Sequence, residues 1–329
     1  MRTAVIGTGG IARLHLGALA ETPEAHVVAL CDIDEEKARQ TGRDFGLSAE
    51  IYTDYIRMLD EVKPEVVHVC TPHYLHAEMI IAALRAGCHV LCEKPLCIRE
   101  EDIDRILAAE AESKCQLAVC HQNRYNGSTR QALSLLSGDK PMSGFGWVVW
   151  DRDAAYYESG AWRGRWDTEG GGVMINQALH TLDLMLLFMG DPDTVQATCE
   201  NRRLLGKIEV EDTASALFRY ADGRMFNFYA SNANAADFPV EMVLRTADER
   251  TLTLTSATLS VDGQALSFNH AKSKGGKSVW GNGHEMLIAD FYDCIRENRP
   301  FPINGREGAR VVRAILSMYR SNGKEIPVI

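Results

Sequence analysis

Five apolar runs dominate the first 120 residues and carry almost no polar alternation: Thr3–Ile6, His26–Cys31, Val66–Cys70, Cys88–Cys92 and Leu117–Cys120. Helical patterning separates them, to about residue 21 and then over about 34–45, 75–85 and 100–114. A strand with one wet face alternates apolar and polar residues. Unbroken apolar strands between helices therefore imply a parallel sheet covered on both faces. The expected fold class for this part is α/β, a doubly wound Rossmann sheet.

The chain has 329 residues, 46% hydrophobic and 24% charged, enough for two globular domains. Its net charge of −10 argues against nucleic acid or an anionic membrane surface as a partner. No apolar run approaches the roughly 20 residues of a membrane span, and the start does not read as a secretory leader. The nine cysteines form no CxxC pair, and several sit inside apolar runs, so a reduced cytoplasmic protein without a metal site is expected.

The first strand runs into Gly7-Thr8-Gly9-Gly10-Ile11-Ala12, and Asp32 ends the second strand 23 residues after Gly9. A GxGxxA run alone is weak, but between strand and helix, with an acid at this distance, it reads as a dinucleotide fingerprint. Gly7 permits the tight turn, Gly9 lets a pyrophosphate approach the backbone, and the helix N-terminus faces the phosphates. Asp32 would bind the ribose hydroxyls, favouring NAD over NADP. Asp34 reads as a helix N-cap. Glu93-Lys94-Pro95 follows the fourth of these strands, at the sheet edge where ligands bind in such folds.

After residue 120 the pattern changes, which suggests domains 1–120 and 121–329. A helix over about 128–137 precedes a strand at 144–150 and a loop holding Arg152, Tyr156, Tyr157, Trp162, Arg163, Arg165 and Trp166. Glu169 and three glycines lead into a helix over about 173–189. Successive strands from about Thr194 to Phe268 imply a large, mostly antiparallel open sheet, and helices over about 285–297 and 306–321 complete an α+β second domain. On the 173–189 helix, Asn176, His180 and Asp183 line up at spacings of four and three, although the helix is apolar almost all round. Buried polar groups need partners, and from patterning alone His180 is equally a satisfied core histidine or a functional one.

Taken together, Gly7–Ala12, Thr71-Pro72-His73-Tyr74-Leu75-His76, Glu93-Lys94-Pro95, Gln122-Asn123-Arg124-Tyr125 and the segment Gly170–Asp183 resemble the glucose–fructose oxidoreductase/inositol dehydrogenase/MocA family along essentially the whole chain. The resemblance implies an NAD(P)-dependent oxidoreductase acting on a hydroxyl or carbonyl of a sugar, cyclitol or derivative. It also implies a homodimer or homotetramer formed through the C-terminal sheet. It assigns Lys94 to the reacting oxygen and the cofactor ribose, suggests a cis bond before Pro95, and makes His180 the acid/base partner. Gly7, Thr8, Gly9, Gly10, Ile11, Ala12, Asp32, Thr71, Pro72, His73, His76, Glu93, Lys94, Asn123, Trp162 and Arg163 would contact the cofactor. Lys94, Arg124, Tyr156, Asn176 and His180 would contact substrate.

One departure matters. Many members carry Asp at the position of Asn176. An amide exchanges no proton, so Asn176 reads as a ligand for a substrate hydroxyl, and proton transfer narrows to Lys94 and His180. The competing readings are a glycosidase that oxidises its sugar transiently with NAD, and a cofactor-binding regulator without catalysis.

Overall fold

The structure, a computed structural model, describes residues 1–267 and 283–329; of the expected strand region, Phe268 lies outside the described residues. Two compact units result, one of residues 1–122 with 283–309 and one of residues 123–267 with 310–329.

The first unit is built on six parallel strands: β1 (Arg2–Ile6), β2 (His26–Cys31), β3 (Glu50–Tyr52), β4 (Val66–Val69), β5 (His89–Cys92) and β6 (Leu117–Val119). Their order is β3-β2-β1-β4-β5-β6. All four residues of β4 are buried, as are four of five in β1, which is why these runs lack alternation. Helices α1 (Gly10–Ala20), α2 (Glu35–Asp44), α3 (Tyr55–Val62), α4 (His76–Arg85) and α5 (Glu100–Glu112) make the crossovers. Asp34 caps α2 by accepting from the Lys37 N–H. The strand order reverses between β1 and β4, so the turns after those strands flank the ligand crevice of a doubly wound sheet.

The sequence pattern does not signal β3 and α3. The strand is three residues at the sheet edge, with Glu50 exposed and the other two half-buried, too short and too wet to stand out. Its helix is set by Asp54, whose carboxylate accepts from the Ile56 and Arg57 N–H groups.

The second unit begins with α6 (Gly127–Leu136), β7 (Ser143–Val149) and a short α7 (Ala154–Glu158) inside the aromatic loop. After the triple glycine, Met174–Ala178 is a π-helical turn that continues as α8 (Leu179–Met189). Strands β8 (Thr194–Glu200), β9 (Thr213–Arg219), β10 (Met225–Ser231), β11 (Glu241–Arg245), β12 (Thr251–Leu254), β13 (Leu259–Val261), β14 (Gln264–Ala265) and β15 (Glu325–Pro327) complete the sheet. The order is β14-β13-β12-β11-β7-β10-β9-β8-β15, antiparallel except between β7 and β10. Helices α9 (Gly283–Arg296) and α10 (Gly305–Ser321) precede β15. Pattern reading misses β15; its Pro327 is tolerated because the strand lies at the sheet edge.

One face of this sheet is core. Phe218, Phe226, Phe228, Met242 and Leu244 join α8 and α10 in a single buried cluster. Gly146 lets α8 approach closely, since a Cβ there would stand 3.2 Å from Thr181 Cγ2. The opposite face is open and carries Phe145 and Trp147, stacked at 5.8 Å, with Tyr229 beside them on β10.

The entry to α8 is tighter still. A Cβ on Gly172 would fall 1.8 Å from the Glu211 carbonyl oxygen, a contact only glycine avoids. Gly172→Ala should therefore cost about 3 kcal/mol or more in chemical denaturation. Gly17→Ala, on an exposed position of α1 with open space around it, should instead gain about 0.5–1 kcal/mol. A neutral Gly172→Ala would contradict the geometry.

Candidate active site

In the first unit, the expected cofactor residues collect at the carboxyl ends of β1, β2, β4 and β5. Gly7 takes φ +86, and a Cβ there would lie 2.5 Å from the Cys70 carbonyl oxygen, so the turn after β1 requires glycine. Gly9 and Gly10 face open space, and no side chain caps the N-terminus of α1. Its first N–H groups are thus available to an anion, and a dinucleotide pyrophosphate fits this cradle.

The Asp32 carboxylate accepts from the Thr8 N–H and Thr8 Oγ1, both at 2.8 Å, and from Asp34 N–H at 3.1 Å. Lys37 Nζ lies 3.1 Å away. Burial alone would raise the Asp32 pKa, but these bonds win and hold it below the usual carboxylate value. Asp32 therefore locks the glycine turn from the end of β2.

His76 ties two of the loops together. Its Nδ1 faces the Pro95 carbonyl at 2.7 Å and its Nε2 the Thr71 carbonyl at 2.9 Å. Burial lowers its pKa, so the ring is neutral and donates to one carbonyl at a time. His73 is buried against it at 5.9 Å, and Pro72 opens the 3₁₀ turn between them. Lys94–Pro95 is cis, as the resemblance implies.

Beneath Lys94 runs a buried hydrogen-bond chain that sequence reading did not find. Glu93, 4% exposed, accepts from His15 Nε2 at 2.9 Å. His15 Nδ1 meets His68 Nδ1 at 2.8 Å, and His68 Nε2 meets the Tyr292 hydroxyl at 3.1 Å. Burial drives the His68 pKa far down, so that ring is neutral. The neutral His68 ring carries one N–H, so it donates to only one of its two neighbours, His15 or Tyr292, and accepts from the other. Burial would raise the Glu93 pKa, but bonds from His15 and His284 outweigh it and keep the carboxyl ionised. Cys120 joins His15 and Glu93 as a group of three potential metal ligands among the described residues. Its thiol is pushed well up by burial and by Glu93, which favours a hydrogen-bonded cluster over a thiolate ligand.

In the second unit, His180 lines a pocket with Asn123, Asn126, Gln177, Trp150 and Thr255. Asn123 and Asn126 each hold a buried side-chain oxygen with no hydrogen-bond partner among the described residues. Such acceptors are expected where a ligand's hydroxyl groups bind. Arg124 forms two parallel bonds to Asp183, Nε to Oδ2 at 2.8 Å and Nη2 to Oδ1 at 2.6 Å, with both side chains buried. Its charge is thereby matched inside the protein.

Arg163 lies over the rings of Tyr156 at 4.6 Å and Trp162 at 4.5 Å, and donates to the Tyr156 hydroxyl at 2.7 Å. Gln177 Nε2 donates to the same oxygen at 2.7 Å. Asn176 sits in the π-turn and donates from Nδ2 to Glu169 Oε1 at 2.5 Å. π-Turns often occur at functional positions because they displace side chains from the regular helical stripe.

Glu211 fastens the start of this segment. Its carboxyl accepts from the Gly172 N–H at 2.9 Å, the Met174 N–H at 3.0 Å and the Tyr319 hydroxyl at 3.0 Å. Sequence reading passed over Glu211 and Glu169. An acid beside three glycines at a helix start was the available signal for Glu169, whereas Glu211 lies in an acidic run, Glu209-Val210-Glu211-Asp212, that reads as solvated surface.

A doubly wound sheet with a glycine cradle in one unit and a large open sheet in the other define a two-part protein with a dinucleotide-binding Rossmann unit. The family model described as "Oxidoreductase family, NAD-binding Rossmann fold" matches residues 1–121, and that of the GFO/IDH/MocA C-terminal domain matches residues 145–250. The chain belongs to the Gfo/Idh/MocA oxidoreductase family, and its first unit is the NAD-binding domain.

It is 28% identical over 209 residues to D-glucoside 3-dehydrogenase of Escherichia coli, covering 63% of this chain and 59% of that protein. It is 24% identical over 229 residues to myo-inositol 2-dehydrogenase of Thermotoga maritima, covering 68% and 66%. The chain thus spans less than two thirds of either relative's length. Among solved structures, the WlbA dehydrogenase of Bordetella pertussis in complex with NADH and UDP-GlcNAcA superposes with a TM-score of 0.85 at 26% identity, covering 100% of this chain and 98% of that one.

Burial pushes the Glu211 pKa up to about 7, against the opposing bonds from Met174 and Gly172. A carboxyl whose folded pKa is raised stabilises most when protonated, and that contribution fades as pH rises through about 7. Melting temperature should therefore fall between pH 5 and 8, and Glu211→Gln should flatten that slope. An unchanged slope in the variant would assign the titration elsewhere.

Proposed function

We propose that the protein is an NAD-dependent oxidoreductase for a hydroxyl or carbonyl group of a sugar, cyclitol or sugar derivative. The observation that carries this is the pocket that His180 lines beside the buried, unpartnered amide oxygens of Asn123 and Asn126, which suits a ligand rich in hydroxyl groups; the family resemblance adds Lys94, at the carboxyl edge of the Rossmann sheet. Relatives named as glucoside and inositol dehydrogenases support the substrate class.

Bound NAD supplies the hydride acceptor or donor. In oxidation, His180 takes the hydroxyl proton while Lys94 donates to the developing alkoxide, so the oxygen loses its proton without carrying an unshielded charge. The chemistry requires both groups at one substrate oxygen. Asp32 favours the free ribose of NAD over a 2′-phosphate, although Lys37 offsets part of its charge. Thr71, Pro72, His73, His76, Glu93, Asn123, Trp162 and Arg163 keep their proposed places around the cofactor, and Tyr156 and Asn176 theirs at substrate. Arg124, committed to Asp183, would act on substrate only through the shape of the pocket.

NADH absorbance on a panel of sugars, cyclitols and sugar acids tests the assignment. Lys94→Ala and His180→Ala should each lower turnover by about 10²-fold or more. Near-wild-type rates in both would overturn their roles, and higher kcat/KM with NADP than NAD would overturn that of Asp32.

A homo-oligomer through the open sheet face also fits, because exposed Phe145 and Tyr229, with half-buried Trp147 stacked on Phe145, give that face an aromatic patch. Light scattering should report a dimer or tetramer, and Tyr229→Glu should shift it toward monomer. A monomeric wild type would exclude the interface.

A further inference from the structure

We propose that Asn126 is a specificity-determining residue of the pocket lined by His180, where its side-chain amide reads one hydroxyl group of a polyol ring. The proposal rests on the sugar or cyclitol reading of that pocket and adds to it a residue that the sequence pattern does not mark.

Asn126 occupies the N-cap position of α6. Asparagine is among the preferred residues there, because its oxygen accepts from the N–H of the second or third helical residue. Asp34, Asp54, Asp153 and Asn304 each accept a bond of this kind at the start of their own helices. Asn126 forgoes it, and α6 has no side-chain cap.

The amide is instead taken into the protein. Asn126 is 2% exposed, and its Oδ1 has no hydrogen-bond partner among the described residues. Its main-chain groups are both matched, the N–H by the Asn123 carbonyl at 3.2 Å and the carbonyl by the Arg130 N–H at 3.0 Å. Only the side chain is left over. An unmatched buried amide costs stability, and the cap bond one turn away would have satisfied it. The side chain is therefore set for a partner that the chain itself does not supply.

The surrounding walls indicate the chemistry of that partner. Leu184, Phe188 and Leu254 are apolar, while Thr129, in the first turn of α6, and Asn123, whose Oδ1 is also unpartnered, add polar groups. Apolar walls with a few placed amides suit a ring that has apolar faces and a rim of hydroxyls. A hydroxyl both donates and accepts, so it serves the amide from either end. A ring without that hydroxyl leaves the amide buried and unmatched, and is rejected.

Asn126→Leu keeps the branched shape and removes the amide. With no cap bond to lose, the variant should melt no lower than wild type when no sugar is present. A fall of several degrees would reveal a structural partner for the amide and sink the proposal. Turnover is then read as NADH formation on myo-inositol, methyl glucoside and the monodeoxy analogues of each. Wild type should favour a parent compound over one of its analogues by about tenfold or more. In Asn126→Leu that ratio should fall to near one, with the other ratios and the KM for NAD unchanged. Ratios preserved at every ring position would overturn the proposal, even if turnover dropped throughout, because a merely structural role gives that result.

Melting with NAD and each parent compound separates this proposal from the functional reading. If wild type oxidised neither compound but was stabilised by one, and Asn126→Leu was not, the oxidoreductase reading would fail while the hydroxyl subsite stood. If neither compound was oxidised and neither stabilised the wild type, the subsite itself would fall.

Discussion

A carboxylate taken out of water costs several kcal/mol unless donors meet its lone pairs. The second unit is organised around that requirement. Glu211 gathers two backbone N–H groups and a tyrosine hydroxyl at the start of the α8 segment, while its own carbonyl oxygen packs so closely that residue 172 must be glycine. Glu169 gathers Gly164 and Asn176, and Asp183 gathers Arg124. Three buried acids thus fix the beginning, the amide and the far side of one segment. Because that segment is apolar almost everywhere else, these few polar contacts determine how it is oriented.

The first unit applies the same economy at Glu93. Its carboxylate lies one residue before the lysine, and its hydrogen bonds come from α1 and α9, elements distant in sequence. The tripeptide after β5 is therefore held by side-chain chemistry from elsewhere in the unit, while the sheet supplies only its location.

Much of this could be read from the chain alone. The unbroken apolar runs predicted the parallel sheet because burial on both faces removes alternation, and β1, β2 and β4–β6 appear there. Asp34 was legible as a cap because capping depends on neighbours two or three residues away. What escaped depends on distant partners or on weak burial. Strand β3 is short and half-wet, and β15 is an edge strand interrupted by proline. His15 looks like any helical histidine until His68 and Glu93 are brought beside it. The π-turn was also invisible, since its residues suit an α-helix equally well.

The chain from Tyr292 through His68 and His15 ends on a carboxylate that directly precedes Lys94. Whatever fixes Glu93 therefore also fixes the backbone from which the lysine side chain departs. Its outer members belong to a strand and a helix far from the tripeptide in sequence, so the setting of Lys94 depends on residues that never approach it along the chain. A change at His68 or Tyr292 would reach the lysine only through this buried column, without touching a ligand.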